Sequence, residues 1–470
     1  MNSSDEDIAD FSPSKRFFVN MLTRDISLED AVLDLLDNCM DGVIRTEDQA
    51  TSDGEVDYSN YWAKIYFDAN SFRIKDNCGG IPKEKIKYAF RIGKPSEADE
   101  HLKTVGMYGV GMKRALFKMG FTSTIDTQHA HDDSFSVKIN EQWLSDSNEW
   151  TIPVTPKLSL DDINGTEIKI LDLYESISKK FRSTDFLREF KDCVRQTYSY
   201  IIEKGFKVFI NDELVEADSI NLIYESPGKA GGSIAPYIYQ GDIDGVNVEL
   251  TVGFYRPSLS EEEQEEELVR PKFNSNDAGW TIICNDRVVL YKDKSRLTGW
   301  GVSGIPSYHT QFIGIAGMVF INGDPSKLPL TTTKRGIDAS SDLYLKIKDH
   351  MMEGMKLFTS YTNAWKGKEN LEASNARISM ANLADPQVIA EEMDIPEGDW
   401  TQVRGRSNER KYKPTLPKPP TENRKQKIVL QRSPEDIEAV REYLGMNNNS
   451  TPSEVGDRCF DRVLAEADEK

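Results

Sequence analysis

The stretch SLEDAVLDLLDNCMDGV, residues 27–43, decides how the N-terminal part of the chain folds. Its apolar residues recur at three- and four-residue spacing, which predicts a helix with one buried stripe. The stripe consists of Leu28, Ala31, Val32, Leu35, Leu36, Cys39 and Val43. Ser27 is a suitable N-cap, and Asp30 three residues later completes a short capping box.

The polar residues of the same predicted helix share its opposite arc. Asp34, Asp37, Asn38 and Asp41 are spaced i, i+3, i+4 and i+7, so they lie on one face. Two interpretations are open for this face alone. It is either a solvated acidic surface or a carboxylate and an amide presented to a ligand, and the later motifs favour the ligand.

Composition narrows the class of protein. A chain of 470 residues is too long for one ordinary core, so two or three domains are expected. The net charge of −20 argues against a nucleic-acid surface along the whole chain, although a local basic patch remains compatible with it. The five cysteines are scattered without a C-x-x-C pair, which favours neither a disulfide framework nor a zinc site.

The ends and apolar runs of the chain bear on its location. The N-terminus, MNSSDEDIAD, is acidic and lacks the apolar core of a secretory signal. The best apolar run, residues 312–321, is too short to span a bilayer. We therefore expect a cytoplasmic protein without a membrane partner.

A second motif follows two predicted strands at 62–68 and 72–75. The sequence DNCGGIP, residues 76–82, places a carboxylate at a strand end and glycines directly after it. Glycines let the backbone approach a flat ligand closely, and a buried Asp76 can accept a hydrogen bond from an exocyclic amine such as that of adenine. A tight turn into a helix is the alternative, because Pro82 suits a first helical turn.

A third motif, GMYGVGMK at residues 106–113, precedes an apolar helical stretch at 114–119. Glycines before a helix expose backbone N–H groups, and the helix N-terminus adds partial positive charge, so the turn suits a phosphate. Lys113 stands near that end. Such turns are common, so this motif is unspecific when taken alone.

Further strands are predicted in the same domain, and a second α/β domain is expected from about residue 176. The first group lies at 121–126, 134–139, 151–154 and 165–171. In the second domain we predict helices at 186–203 and 338–361 and strands at 206–210, 246–255, 280–284, 287–291 and 312–321. The loop at 327–336 is either an ordinary exposed loop or one whose hydroxyls and cations reach an anion.

The C-terminal part differs in composition. Residues 404–432 are rich in Lys, Arg and Pro, which predicts a stiff basic linker. A strand at 427–431 and helices at 434–444 and 452–466 follow. This element is too small to stand alone comfortably, so it either dimerises in a ribbon-helix-helix manner or packs on a partner.

Together the motifs resemble those of the GHKL ATPases, which include gyrase, a heat-shock chaperone, histidine kinases, MutL and the MORC proteins. The resemblance is carried by an acid four residues before Asn38, D-x-x-G-G at 76–80, G-x-x-G-x-G at 106–111 and a Gly-Thr at 165–166. It covers residues 11–171. A weaker likeness to the transducer domain of gyrase, MutL and MORC extends to about 361 and rests mainly on Lys334.

The resemblance, together with the composition of the C-terminal part that lies outside it, implies an α+β fold in four segments. These are a Bergerat-type α/β sandwich ATP-binding domain at 1–175, a transducer-like α/β domain at 176–365, a partly basic and disordered linker at 366–426, and a small strand-helix-helix C-terminal element at 427–470. It also implies ATP and Mg²⁺ as cofactors.

The same resemblance assigns roles to individual residues. Asn38 would hold Mg²⁺, Asp76 would bond the adenine amine, and Thr166 would support Asp76 through a water. Gly80 would give the ring room, residues 93–113 would form the ATP lid, and Lys334 would reach the γ-phosphate. The implied nucleotide-binding set is Asn38, Asp41, Asp76, Gly80, Ile81, Gly106, Tyr108, Gly109, Val110, Gly111, Met112, Lys113 and Thr166, with Asp34 and Lys334 catalytic.

Two positions depart from the family pattern. The general base is usually Glu, whereas Asp34 is shorter by roughly one C–C bond, a loss of reach that predicts slow turnover. Cys78 stands where the family pattern has its first glycine, directly before Gly79. It is tolerable there if its φ is negative and Gly79 takes the strained conformation.

Our leading hypothesis is an ATP-binding and ATP-hydrolysing clamp that dimerises in response to ATP, with a role in DNA handling or genome defence by analogy to MORC-like bacterial proteins. The alternative is a non-hydrolysing adaptor that binds a protein or nucleic acid through its C-terminal tail. A histidine kinase is disfavoured because no histidine lies in a dimerisation helix ahead of the ATP domain. A topoisomerase or folding chaperone is disfavoured because little sequence remains for a cleavage or client-binding domain.

Overall fold

A computed structural model describes most of the chain. The described residues are 14–48, 56–91, 93, 109–129, 134–146, 149–157, 163–228, 231–260, 263–264, 266–267, 277–331, 333–366, 368–403, 408–419 and 431–468. The chain divides into two compact units between Lys418 and Pro419.

The N-terminal part of the first unit contains a mixed sheet in which eight described strands pair. They are β1 (Trp62–Phe67), β2 (Ser71–Asp76), β3 (Gly120–Gln128), β4 (Phe135–Ile139), β5 (Val154–Pro156), β6 (Gly165–Leu173), β7 (Lys207–Ile210) and β8 (Glu213–Leu214). Their order is β5-β4-β3-β6-β2-β1-β7-β8. Every second residue of β1 and β2 is buried, so this sheet has one covered face.

Helices cover that face. They are α1 (Lys15–Arg24), α2 (Leu28–Asp48), α3 (Ile86–Phe90), α4 (Gly111–Met119), α5 (Glu141–Ser145), α6 (Glu175–Phe181) and α7 (Thr184–Glu203). The predicted apolar stripe of α2 is buried throughout. The hydroxyl of Ser27 accepts a hydrogen bond from the Asp30 N–H at 3.0 Å, as its expected N-cap role requires. The helix runs five residues beyond the predicted end at Val43.

A second sheet follows in the same unit, with seven described strands. They are β10 (Tyr237–Ile243), β11 (Val246–Phe254), β12 (Gly279–Cys284), β13 (Arg287–Asp293), β14 (Ile315–Asn322), β16 (Trp400–Gln402) and β17 (Glu409–Tyr412), in the order β13-β12-β14-β11-β10-β17-β16. A separate pair joins β9 (Leu222–Tyr224) to β15 (Asn382–Ala384). The helices of this part are α8 (Asp342–Ala364), α9 (Lys368–Ser379) and α10 (Ile389–Glu392).

The two sheets of the first unit share a core. Phe320 of β14 and Val288 of β13 belong to the same buried cluster as the apolar residues of α2 and α7. The rings of Tyr200 on α7 and Phe320 lie 5.4 Å apart. The second sheet is therefore packed against the first through α7, close to the polar face of α2.

Much of the segment expected to be a linker is folded. Residues 368–412 contribute α9, α10 and strands β15 to β17, and β17 pairs antiparallel with β10. The ammonium of Lys411 binds the Glu353 carboxylate on α8 at 2.8 Å. The sequence of β17, ERKY, has no apolar alternation, so nothing local predicts that it completes a sheet. Residues 420–430 of the expected linker and strand lie outside the described part.

The second unit contains α11 (Pro434–Tyr443) and α12 (Pro452–Asp468), close to the two helices predicted there. The Ser433 hydroxyl caps α11 by accepting a hydrogen bond from the Asp436 N–H at 3.2 Å. Among the residues that the structure describes, no helix combines the length and apolar character needed to cross a bilayer.

Candidate functional site

The Asp76 carboxylate lies at the end of β2 and is held by donors from three segments. Its Oδ1 accepts the backbone N–H groups of Cys78 at 2.9 Å and Thr166 at 3.2 Å, and its Oδ2 accepts the thiol of Cys39 at 3.6 Å. Burial raises the pKa of Asp76 to about 6, although these donors oppose the shift. The carboxylate is thus held in one orientation at the end of β2, between Cys39 of α2 and the backbone of Thr166 on β6.

Thr166 contacts Asp76 through its backbone, because its N–H donates directly to the Asp76 carboxylate at 3.2 Å. The predicted support through a water stays a prediction. The Thr166 hydroxyl lies 3.0 Å from the hydroxyl of Thr127 on β3, which also accepts the Ile81 N–H at 2.9 Å. Sequence reasoning missed Thr127, which lies outside the three motifs, and it assigned Cys39 to the apolar stripe of α2 without predicting its hydrogen bond.

The glycines of the Asp76 motif are required by the backbone. Gly79 and Gly80 have φ of +91° and +68°, whereas Cys78 keeps a negative φ, as expected. A Cβ on Gly80 would overlap the carbonyl oxygen of Gln128 on β3. Gly80 therefore allows the turn to pack directly against the sheet.

We expect Gly80→Ala to lower the free energy of unfolding by at least about 2 kcal/mol, because it adds left-handed backbone strain to a backbone clash. Urea denaturation followed by circular dichroism measures the loss. Gly398→Ala is the matched control, since no atom lies within 4 Å of a Cβ there and its φ is not positive. Equal stabilities of the two variants would contradict the geometry of this turn.

The polar residues of α2 do not share one environment. Asn38 is exposed, whereas Asp37 and Asp41 are buried. Asp34 is partly buried, and its Oδ2 has no hydrogen-bond partner among the described residues. Burial raises the pKa of Asp34, with the charge of Lys334 opposing the shift. Asp34 therefore presents an acceptor atom that the described protein groups leave available.

The N-terminus of α4 faces Asp34. A Cβ on Gly111, the first residue of α4, would lie 3.1 Å from the carboxyl carbon of Asp34. Gly109 before it has φ of +64°, and Val110 provides no side-chain cap. The helix N-terminus and the carboxylate thus border the same space, with no side chain from Gly111 between them.

Lys113 and Met112 of the same motif lie in the first turn of α4. Lys113 is buried, and its ammonium donates to the carbonyl oxygen of Gly109 at 2.8 Å. Burial lowers the pKa of Lys113 to about 8. Met112 follows Gly111 in α4 and is half-buried, while Gly106, Tyr108 and most of the expected lid lie outside the described residues.

A buried charged cluster joins α2 to the second sheet. The Lys334 ammonium lies 2.8 Å from Asp37 Oδ2 and 3.8 Å from Asp34 Oδ1. Asp37 Oδ1 also accepts Arg287 Nε at 2.7 Å and the Tyr198 hydroxyl at 2.8 Å. Burial opposes the charge of Asp37, but Arg287 and Lys334 outweigh it and lower the pKa of Asp37. Arg287 and Tyr198 lie far from the motifs in sequence, and no local pattern points to them.

The chemistry of these groups suits a magnesium ion and the phosphates of a nucleotide. The exposed Asn38 amide lies on the same helix face as Asp34, whose Oδ2 is unpartnered among the described residues, and Gly111 leaves room where a Cβ would intrude. Magnesium commonly takes one or two protein oxygens and completes its shell with phosphate and water. An N-terminal helix end with exposed N–H groups suits phosphate.

Comparison with known proteins supports the same conclusion. Residues 26–170 match the family described as histidine kinase-, DNA gyrase B-, and HSP90-like ATPase. No curated protein matches the chain. The matched segment contains α2, the Asp76 turn, α4 and most of β6, and so all the motifs of the N-terminal domain.

This segment belongs to the GHKL ATPase superfamily. The predicted α+β architecture is confirmed, since the structure combines a GHKL-type α/β sandwich with a further α/β layer. Membership implies ATP binding, which in this superfamily typically involves Mg²⁺.

Proposed function

We propose that the chain is an ATP-driven clamp. We call the second sheet with its helices and the loop that carries Lys334 the second part. ATP would draw this second part onto the nucleotide site and favour association of two chains, and slow hydrolysis would reverse both changes. The supporting observation is the position of Lys334, which comes from the second part and lies within 3.8 Å of both Asp34 and Asp37 on α2. A ligand can shift such an equilibrium only through a differential affinity for the two states, and Lys334 provides a contact able to create one.

The proposed roles follow the geometry. Asp76 would accept the adenine amine, and Asn38 would hold Mg²⁺, which neutralises phosphate charge when bound. The Oδ2 of Asp34, which has no hydrogen-bond partner in the described part of the chain, would orient a water and accept its proton. The ammonium of Lys334 would move toward the terminal phosphate. The backbone N–H groups at the start of α4 would face the phosphates.

Association of two chains is tested by measuring mass in solution. With Mg²⁺ and a non-hydrolysable ATP analogue, we expect light scattering after size exclusion to show a dimer for the wild type and a monomer with ADP. Lys334→Ala should stay monomeric with the analogue, because the second part then loses its contact with the terminal phosphate.

Lys346→Ala is the control, since Lys346 binds Asp244 on the surface away from α2. Calorimetry on the same samples verifies that nucleotide is bound. A wild type that binds the analogue and remains monomeric would contradict the clamp, as would dimerisation of Lys334→Ala at the wild-type nucleotide concentration.

We also propose, by analogy with MORC-like proteins, that the clamp acts in DNA handling or genome defence. The basic segment 404–432 motivates this proposal. Three cations of that segment are engaged within the fold: Arg410 donates to Gln240, and Lys411 and Lys413 lie within 3.7 Å of Glu353. Support for a nucleic-acid partner therefore depends on the other cations of the segment.

A further inference from the structure

Arg287 occupies a rigidly held position between the two α/β parts of the first unit. It follows a tight turn in which Asn285 and Asp286 have φ of +44° and +66°, as in a type I′ hairpin. The side chain of Asn285 exchanges two hydrogen bonds of 3.0 Å with the backbone of Gly323. Asp286 accepts the hydroxyl of Tyr58, a residue of the ATP-binding part, at 2.8 Å.

The guanidinium of Arg287 contacts two elements of the proposed site at once. Its Nε donates to Asp37 Oδ1 at 2.7 Å, and its Nη1 donates to the carbonyl oxygen of Lys334. The backbone of Lys334 is left-handed, with φ of +55°. A non-glycine residue in this region needs surrounding contacts to hold it, and the bond from Arg287 is one of them.

The charges of this cluster allow one cation to leave. Asp37 is 1% exposed and is bound by Arg287, Lys334 and the Tyr198 hydroxyl. A buried carboxylate that loses its only cation is strongly destabilised. Because Arg287 and Tyr198 would still bind Asp37, the Lys334 ammonium can move to another anion without leaving Asp37 unpaired.

We infer that Arg287 is a positioning residue for Lys334, which fixes its backbone and neutralises Asp37 so that the Lys334 ammonium can exchange between Asp37 and the terminal phosphate of ATP. This inference rests on the proposed function and extends it to a residue outside the matched family segment. A purely structural ion pair would stabilise the fold without affecting the preference for ATP over ADP.

The chain offers a matched control on the same hairpin. Lys292 lies on β13 and is buried, and its ammonium binds Asp277 at 2.7 Å and Asp218 at 3.0 Å. Lys292→Met therefore breaks a buried ion pair in the same element, and neither of these two aspartates lies on α2. Thermal unfolding of Lys292→Met and Arg287→Met shows how much stability each variant loses.

The experiment measures binding of ADP and of a non-hydrolysable ATP analogue, with Mg²⁺, by calorimetry. We expect Arg287→Met to keep ADP affinity within about threefold of the wild type. The ratio of its affinity for the analogue to its affinity for ADP should fall about tenfold, as we also expect for Lys334→Met. Lys292→Met should keep the wild-type preference.

The outcomes separate the two proposals. A wild type without any preference for the analogue would overturn both the clamp and this inference. A wild-type preference retained by Arg287→Met would overturn the inference alone. If Arg287→Met does not fold, the same calorimetric comparison is made with Arg287→Lys. One ammonium cannot reproduce the two directed bonds of the guanidinium, so the preference should still fall severalfold, and an unchanged preference would refute the assignment.

Discussion

Asp76→Asn is expected to weaken nucleotide binding by at least about 100-fold. The Asp76 carboxylate accepts hydrogen bonds from Cys78, Thr166 and Cys39, and the proposed adenine amine would be a further donor. An amide replaces one acceptor oxygen by a donor NH₂ group, so it must face either the thiol or the adenine amine. Calorimetry with Mg²⁺ and a non-hydrolysable ATP analogue measures the loss of affinity.

Asp126→Asn is the matched control for this change. Asp126 is a buried aspartate of the same sheet, and its carboxylate binds Lys157. It should retain wild-type affinity for the analogue. Wild-type affinity in Asp76→Asn would remove Asp76 from the nucleotide site, whereas an equal loss in both variants would point to a general effect on the fold.

The pH dependence of binding gives a second measurement on the same residue. Burial raises the pKa of Asp76 to about 6, and the protonated acid loses an acceptor that the amine needs. The affinity of the wild type should therefore be constant above about pH 7 and fall as the pH is lowered through 6. Asp126→Asn should follow the wild type, and Asp76→Asn should lack this component. A flat wild-type profile down to pH 5 would contradict the assigned role.

Helix α2 shows which features of a helix its own sequence predicts and which it does not. Its stripe spacing and the cap at Ser27 predicted a helix whose apolar residues are buried, and the structure agrees. The same pattern placed Asp37 on a polar arc, yet Asp37 is buried because Tyr198 of α7 and Arg287 of β13 pack against it. The periodicity of a helix describes its own faces and carries no information about a surface contributed some 250 residues later, where Arg287 lies.

The motifs predicted the local backbone geometry more reliably than the contacts between separate segments. Gly79 and Gly80 have the positive φ that a tight turn requires, because that requirement is local. The bond from Lys113 to Gly109, the direct N–H from Thr166 and the linking hydroxyl of Thr127 depend on how separate segments pack. The motifs and the family resemblance predicted roles for Lys113 and Thr166 without fixing which of their atoms would make contacts.

Asp34→Asn is expected to lower ATP turnover by at least about 100-fold while leaving affinity for the ATP analogue within about threefold. The carboxylate of Asp34 borders the start of α4, and its Oδ2 has no partner among the described residues, so it is placed to accept a proton from water. The amide keeps the shape of the side chain and loses that ability. Single-turnover release of phosphate, measured beside calorimetry, separates the chemical step from binding.

Asp30→Asn tests whether the effect is specific to Asp34, because it removes the same charge from the preceding turn of α2, where Asp30 binds Arg335 at 2.5 Å. It should leave turnover near that of the wild type. Wild-type turnover in Asp34→Asn would assign the base to another group. A wild type that dimerises with ATP and releases no phosphate would instead favour the non-hydrolysing adaptor. The side chain of Asp34, which is shorter than the usual glutamate, would then not reach the water. In that case only exchange of the nucleotide would reopen the clamp.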